Sequence, residues 1–337
     1  FSGQVDKKHT THFLKIDGLR TYGTAEINII EIVKPLTKYA AVIEDPKLVK
    51  YHLDKAYYMA NEGRQGPVWL DIPLDVQQSY VDEKKLKKFT PPILKNKNLK
   101  VSNINKIINL LKKSKKPLIV AGQGIRQSQT INDFKKLINR VKMPVLFSRL
   151  GQDILSHNYP YIFGQAGVKG SRYCKKIMNS CDLVLSFGCR LAPQFVGNDF
   201  SAFKNAKVVA IDIERDELNK KGQNIFLPIN SDLSFFLPKL SNYINKTNFP
   251  NYSKWFSYCD RLKNENPIIK DKFQKNPIDL YYFMQKLGEF FICANGCQIF
   301  PFSHSGHIIT SPPKNSYYLP ASLKTRISLW FKIVTEV

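Results

Sequence analysis

Between residues 101 and 244, short β-branched runs alternate with amphipathic helical stretches, and this alternation constrains the fold more than any other feature. "VSNINKIINLLKKSKK" places Ile104, Ile107, Ile108 and Leu111 on one helical face. "PLIVAGQGI" then reads as a buried strand running into a Gly-x-Gly turn. The pattern repeats through "TINDFKKLINRV", "MPVLFS", "GSRYCKKIMNSC", "DLVLSFGC" and "AKVVAIDI", helices and strands in turn. Apolar strands separated by helices imply a parallel sheet covered by helices, because parallel strands need crossovers that bury both sheet faces. The expected class is therefore α/β, with parallel-sheet, Rossmann-like domains. Each strand ends in Gly, Ser or Asp, which puts the loops at the carboxyl edge of the sheet, where such folds bind ligands.

The region before residue 81 is less regular. "INIIEIVKPLTKYAAVI" predicts a short helix stopped at Pro35 and a strand over Tyr39–Ile43. "DPKLVKYHLDKAYYMANEG" predicts a helix capped by Asp45, with Pro46 in its first turn and Gly63 past its end. His52 recurs with Leu48, Ala56 and Met59 at helical spacing, which favours packing over base catalysis. "GRQGPVWLDIPLDVQ" moves from a turn into an apolar strand and then carries Asp71, Pro73 and Asp75. "DEKKLKKFTPPILKNKNLK" lacks apolar periodicity and reads as a linker. The organisation expected is 1–80 as a first domain segment, 81–100 as linker, 101–244 as a central domain and 245–337 as linker helices running into a less regular tail.

Composition excludes several classes. Apolar residues at 43% and aromatics at 12% suffice for packed cores. No apolar run reaches the ~18 residues of a membrane span, so a membrane location is not expected. The N-terminus carries neither an initiator Met nor the apolar core of a signal peptide. Six cysteines in apolar or helical contexts predict reduced thiols in a cytoplasmic protein. The net charge of +24 follows a general bias toward Lys, Asn and Ile. The Lys-rich stretches do not interleave aromatics along the sequence, so no specific nucleic-acid partner is expected.

Spacing alone offers weak chemical candidates. Gly122 and Gly124 in "AGQGIR" follow a strand and suit either phosphate binding or a tight βα turn. Gly164 and Gly167 in "GQAGVKG" form a second glycine-rich loop before a helix. Asp212 closes a strand where a dinucleotide fold keeps its ribose-binding acid, although helix caps also sit there. Cys293, Cys297, His304 and His307 miss the usual zinc spacings, so no metal site is expected from them.

Taken together, these phrases resemble thiamine-diphosphate-dependent enzymes of the acetolactate synthase family. "GRQGPVWLDIPLDVQ" is similar to the end of that family's pyrimidine-binding domain. "FSGQV", "GTAEINIIEIVKPLTKYA" and "DPKLVKYHLDKAYYMA" resemble the segments preceding it. "KPLIVAGQGIR", "PVLFSRLGQD", "GQAGVKGSR", "CDLVLSFGCRL" and "KVVAIDIERDEL" resemble the central domain in order. The resemblance covers roughly residues 1–240. It implies decarboxylation of a 2-keto acid and carboligation, with thiamine diphosphate and Mg2+ as cofactors, FAD as a further possibility, and homodimers or homotetramers.

By the same resemblance, Gly3, Gln4 and Lys38 line the cofactor cleft, and Gly122, Gly124, Gly164 and Gly167 sit in central-domain loops. Departures from the family pattern are as informative. The glutamate that activates the cofactor belongs upstream of residue 1, and no Gly-Asp-Gly metal motif occurs. Ala25 stands where the family usually has Gln before Glu26. "ANG" at 294–296 and "YYLPASL" at 317–323 resemble a degenerate start of the diphosphate-binding domain. The expectation is a chain truncated at both ends and inactive alone. The alternative is a non-catalytic nucleotide-, FAD-binding or assembly module built on the central domain.

Overall fold

The computed structural model describes residues 1–92, 100–156, 159–197, 201–222, 224–267 and 282–283. Nine strands are present among them: β1 Ser2–Gln4, β2 Tyr39–Val42, β3 Val68–Pro73, β4 Pro117–Ala121, β5 Val145–Phe147, β6 Ile162–Gln165, β7 Leu183–Phe187, β8 Lys207–Asp212 and β9 Ile225–Asn230. The longer helices are interspersed with short ones. In chain order they are α1 Thr11–Leu14, α2 Ile29–Val33, α3 Val49–Asn61, α4 Leu74–Gln77, α5 Val101–Lys113, α6 Gly124–Gln127, α7 Ile131–Val141, α8 Arg172–Ser180, α9 Pro193–Val196, α10 Arg215–Leu218, α11 Leu233–Asn245 and α12 Ser253–Glu265.

The strands form a three-stranded sheet of order β1-β3-β2 and a six-stranded sheet of order β6-β5-β4-β7-β8-β9. The pairs β1–β3, β2–β3, β4–β5, β4–β7 and β5–β6 are parallel. The larger sheet starts at its middle, grows outward to β6, then restarts beside β4 and grows the other way. That reversal is the doubly wound order, and it places a topological switch between the carboxyl ends of β4 and β7.

The chain divides into two compact units. One comprises Phe1–Lys112, Gly124–Arg140 and Val209–Asn248. The other comprises Lys113–Gln123, Val141–Val208 and the described residues after Phe249.

In the first unit, Ile43, Ala56, Leu70 and Val76 form a small core, with Tyr39, Ala41, Val49, Val68 and Ile72 packed against it. The expected apolar face of α5 is buried, with Ile104, Ile107, Ile108 and Leu111 all inside. Phe134, Leu137 and Ile138 are the buried stripe of α7 in this unit. In the second unit, every residue of β4, β5 and β7 is buried, as continuous apolar runs in central parallel strands require. Trp255 on α12 donates its indole N–H to the Pro117 carbonyl at 2.9 Å, fixing the helix on the start of β4.

Three strands were not legible as strands. β1 reads Ser-Gly-Gln and has no apolar pattern. β6 contains Gly164 at φ +111°, and its register with β5 shifts between Val145 and Leu146. β9 carries Pro228, which lowers strand propensity and confines it to an edge.

Cys174, Cys181, Cys189 and Cys259 are buried and not disulfide-bonded. Burial pushes the Cys174 and Cys181 thiols up to about 12, so they persist as unreactive thiols. Cys293, Cys297, His304 and His307 lie outside the described residues, as do the segments 294–296 and 317–323. No helix among the described residues is long and apolar enough to cross a membrane.

Candidate functional site

The two acids of "LDIPLDV" both tie back to the first residues of the chain. Asp71 on β3 is only 2% exposed and accepts the Ser2 hydroxyl at 2.6 Å. The Trp69 indole donates to the same Ser2 oxygen at 2.8 Å. Asp75 accepts the Lys7 backbone N–H at 3.3 Å, and its other oxygen lies 3.6 Å from the Lys7 ammonium. These side-chain bonds fasten β1, an edge strand of three residues, to the central strand β3. The phrase that stands out in the sequence is therefore a structural clamp in this chain.

Gly3 and Gln4 pair with Ile72 and Pro73 at the carboxyl end of β3. Lys38 immediately precedes Tyr39, which pairs with Val68 at the opposite end of β3 and on its other side. The six residues of β3 span roughly 17 Å, so the sheet does not bring Lys38 together with Gly3 and Gln4. Their side chains are also engaged locally. The Gln4 amide donates to the Ile27 carbonyl at 2.6 Å and accepts from the Val5 N–H at 3.0 Å. The Lys38 ammonium donates to the Glu62 carbonyl.

Glu26 organises the loop between β1 and α2. Its carboxylate accepts the Thr11 N–H at 2.6 Å, the Thr11 hydroxyl at 2.5 Å and the Tyr22 N–H at 2.7 Å. Desolvation alone would raise its pKa, but the hydrogen bonds from Thr11, Tyr22 and Gly23 outweigh it and hold the carboxyl below the ordinary glutamate value. A depressed carboxyl contributes stability that is fully present above the unfolded pKa, about 4.3, and is lost as pH falls through the lower folded value. Glu26→Gln is therefore expected to destabilise the chain at pH 7, with the gap from the parent closing as pH drops below ~4. Urea unfolding at a series of pH values measures this, and a gap that stays constant into acid contradicts it.

At the larger sheet, the candidate glycines lie at the carboxyl edge. Gly122 follows β4 beside the switch point. A Cβ built there would meet the Gly188 carbonyl oxygen at 2.0 Å and the Cys189 Cα at 2.6 Å. Its N–H donates to the Phe187 carbonyl at 2.9 Å. Gly124 opens α6. Gly164 and Gly167 have φ of +111° and +103°, and a side chain at Gly167 would meet the Gln194 carbonyl at 2.8 Å. The absent Cβ atoms of Gly122 and Gly167 thus make room for the chain's own backbone. β5 separates the ends of β4 and β6, so the two glycine loops are neighbours but not contiguous.

Asp212, at the end of β8, accepts the Glu214 N–H at 3.0 Å. Burial pushes its carboxyl up, with Glu217 and Glu214 adding to the rise against the pull of that N–H and of Arg64. Arg64 itself donates to Glu214 at 2.6 Å and lies 3.9 Å from Glu217.

Position in the topology shows what spacing did not. Arg149, Lys169 and Arg190 follow the carboxyl ends of β5, β6 and β7 within the second unit. The signal lay in the sequence as a basic residue a few positions past each strand, and the strand order collects those residues on one edge.

The described residues offer little that fits magnesium diphosphate. No group of three His, Cys, Asp or Glu side chains suited to a metal occurs among the described residues. The Gln4 and Lys38 groups that would face a cofactor are hydrogen-bonded within the chain.

Residues 104–240 match the family described as thiamine pyrophosphate enzyme, central domain. The chain is 28% identical over 263 residues to the "Probable acetolactate synthase large subunit" of Methanococcus aeolicus, covering 73% of this chain and 43% of that protein. It is 29% identical over 266 residues to the acetolactate synthase large subunit of Lactococcus lactis subsp. lactis (strain IL1403), covering 79% and 46%. With acetolactate synthase isozyme 2 large subunit of Escherichia coli (strain K12), identity is 24% over 241 residues, covering 72% and 42%. The chain thus spans less than half the length of these curated relatives. Residues 104–240 are thus similar to the central domain of thiamine pyrophosphate enzymes, and about three quarters of the chain is similar to acetolactate synthase large subunits.

Proposed function

We propose that this chain derives from a thiamine-diphosphate-dependent enzyme that decarboxylates a 2-keto acid and transfers the two-carbon unit. The observation that carries this is the match of residues 104–240, which hold the doubly wound sheet, to the thiamine pyrophosphate enzyme central domain. Residues 1–80 correspond to the later half of a pyrimidine-binding domain, 81–100 to a linker and 101–244 to the central domain. Residues 245–337 correspond to linker helices and the start of a diphosphate-binding domain. The setting is cytoplasmic, and assembly is as a homodimer or homotetramer.

The 337 residues by themselves hold neither cofactor tightly and do not turn over. They contain no Gly-Asp-Gly, and Gln4 and Lys38 are separated and engaged. Titration of thiamine diphosphate with Mg2+ by calorimetry is expected to show no saturable heat, and pyruvate is expected to persist. Turnover by the pure chain refutes the inactivity.

A second reading is favoured by Arg149, Lys169 and Arg190, which follow β5, β6 and β7 at the carboxyl edge. There the central domain acts as a non-catalytic nucleotide- or FAD-binding module, since cations at that edge suit phosphate groups. Purified protein that is yellow and releases flavin on denaturation supports this second reading. Colourless protein that gains no flavin on incubation with FAD removes the FAD form of it.

A further inference from the structure

The Lys-rich linker does not interleave aromatics along its sequence, but it does so in space. Lys47, Tyr51, Lys55 and Tyr58 follow one another at helical spacing through the turn before α3 and along α3 itself. The linker folds back on this stripe, with the Lys87 N–H donating to the Lys47 carbonyl at 3.3 Å. Phe89 packs edge-on against Tyr51 at 5.7 Å and tilted against Tyr58 at 5.5 Å. Two ammonium groups then converge on one ring. Lys55 Nζ lies 5.6 Å and Lys87 Nζ 5.4 Å from the Tyr51 centroid, and Lys55 is also 4.6 Å from the Tyr39 centroid.

Neither ammonium lies within ion-pair distance of a carboxylate among the described residues. Asp54 on the same helix pairs with Lys50 at 2.9 Å, and Asp82 in the linker pairs with Lys85 at 3.5 Å. A ring–cation contact at an exposed site is weak, so neither lysine has a strong partner in place. An anion would supply one through charge-assisted hydrogen bonds. The net charge of +24 draws anions toward the chain in general, and Lys55 and Lys87 stand at one ring with no carboxylate partner among the described residues.

We propose that Lys55 and Lys87 form a binding site for the di- or triphosphate group of a small molecule. Two separate cations suit a group with several charged oxygens better than a single monoanion. The site lies wholly on α3 and the linker, and it does not depend on the function proposed above.

His52 provides a reporter. Its Nδ1 shares a 2.6 Å hydrogen bond with the Tyr39 hydroxyl, and Tyr51 packs edge-on at 5.5 Å. Burial lowers its pKa, and the Lys55 charge lowers it further. The groups facing it are Tyr39, Tyr51 and Lys55. A bound phosphate neutralises the Lys55 contribution, so the His52 titration midpoint moves upward.

Inorganic pyrophosphate is the probe, added to the full chain at constant ionic strength with chloride as control. Calorimetry is expected to show saturable one-to-one binding, and His52 ring proton shifts are expected to report the upward movement. Lys55→Ala and Lys87→Ala are each expected to weaken binding about tenfold or more. Lys84→Ala, as a control, is expected to change it less than about twofold, with circular dichroism confirming the fold of each variant. If Lys55→Ala misfolds, Lys87→Ala with the His52 shift decides. Absence of saturation, an equal chloride effect or indifference to both alanine variants overturns the site. Tight single-stranded oligonucleotide binding that pyrophosphate does not displace also overturns it, in favour of a nucleic-acid surface.

Discussion

Alanine at position 122 is expected to destabilise the chain by about 3 kcal/mol or more, the upper range for overpacking a closed interior. The added methyl would sit 2.0 Å from the Gly188 carbonyl oxygen, 2.5 Å from its carbon and 2.6 Å from the Cys189 Cα. All three are backbone atoms, so no side-chain rotation relieves the clash. The loops after β4 and β7 must part, and the Gly122 N–H bond to the Phe187 carbonyl is lost with them. Gly63→Ala separates sterics from backbone preference. Gly63 has φ +62° with nothing within 4 Å of its Cβ position, so its cost is about 1–2 kcal/mol from conformation alone. Chemical denaturation of both variants checks the contrast, and near-equal losses contradict the close-contact account.

Asp182→Ala is expected to cost about 3 kcal/mol, because one carboxylate serves three donors. It accepts the Ser114 hydroxyl, the Lys115 N–H at 2.8 Å and the Lys116 N–H at 3.1 Å. Its own backbone bonds both neighbours, donating to Lys116 and accepting from Lys207. Asp182 therefore pins the turn before β4 to the starts of β7 and β8. Asp182→Asn keeps one carbonyl acceptor and is expected to lose only about 1 kcal/mol. Equal losses for Ala and Asn would mean that the charge, and not the acceptor geometry, carries the effect. Unfolding in urea distinguishes the two.

Legibility in the sequence followed local pattern. The Ile104–Leu111 face, the buried runs of β4 and β7 and the cap at Asp45 are each written within a dozen residues, and each is present. β1, β6 and β9 exist through pairing: a Ser-Gly-Gln segment, a strand with a positive-φ glycine and a strand with a proline have little propensity of their own.

The candidate site divides the same way. Gly122 and Gly124 were visible as a turn, but only the contact with Gly188 shows that the Gly122 position is packed by backbone. Gly3, Gln4 and Lys38 were grouped by resemblance. The β1-β3-β2 order, invisible in sequence, places them on opposite edges and ends of the small sheet. The Lys55–Tyr51–Lys87 arrangement was hidden because its parts come from segments whose contact is tertiary.

Pro228 has a consequence outside ligand binding. β9 is the last strand in the order of the larger sheet, and a rim of that kind offers backbone donors and acceptors to any extended chain that meets it. A residue with no N–H leaves a gap in that hydrogen-bonding row, so an intruding strand cannot zip along it. The residue that made β9 hard to recognise as a strand thus acts as a guard against templated self-association at the sheet's margin.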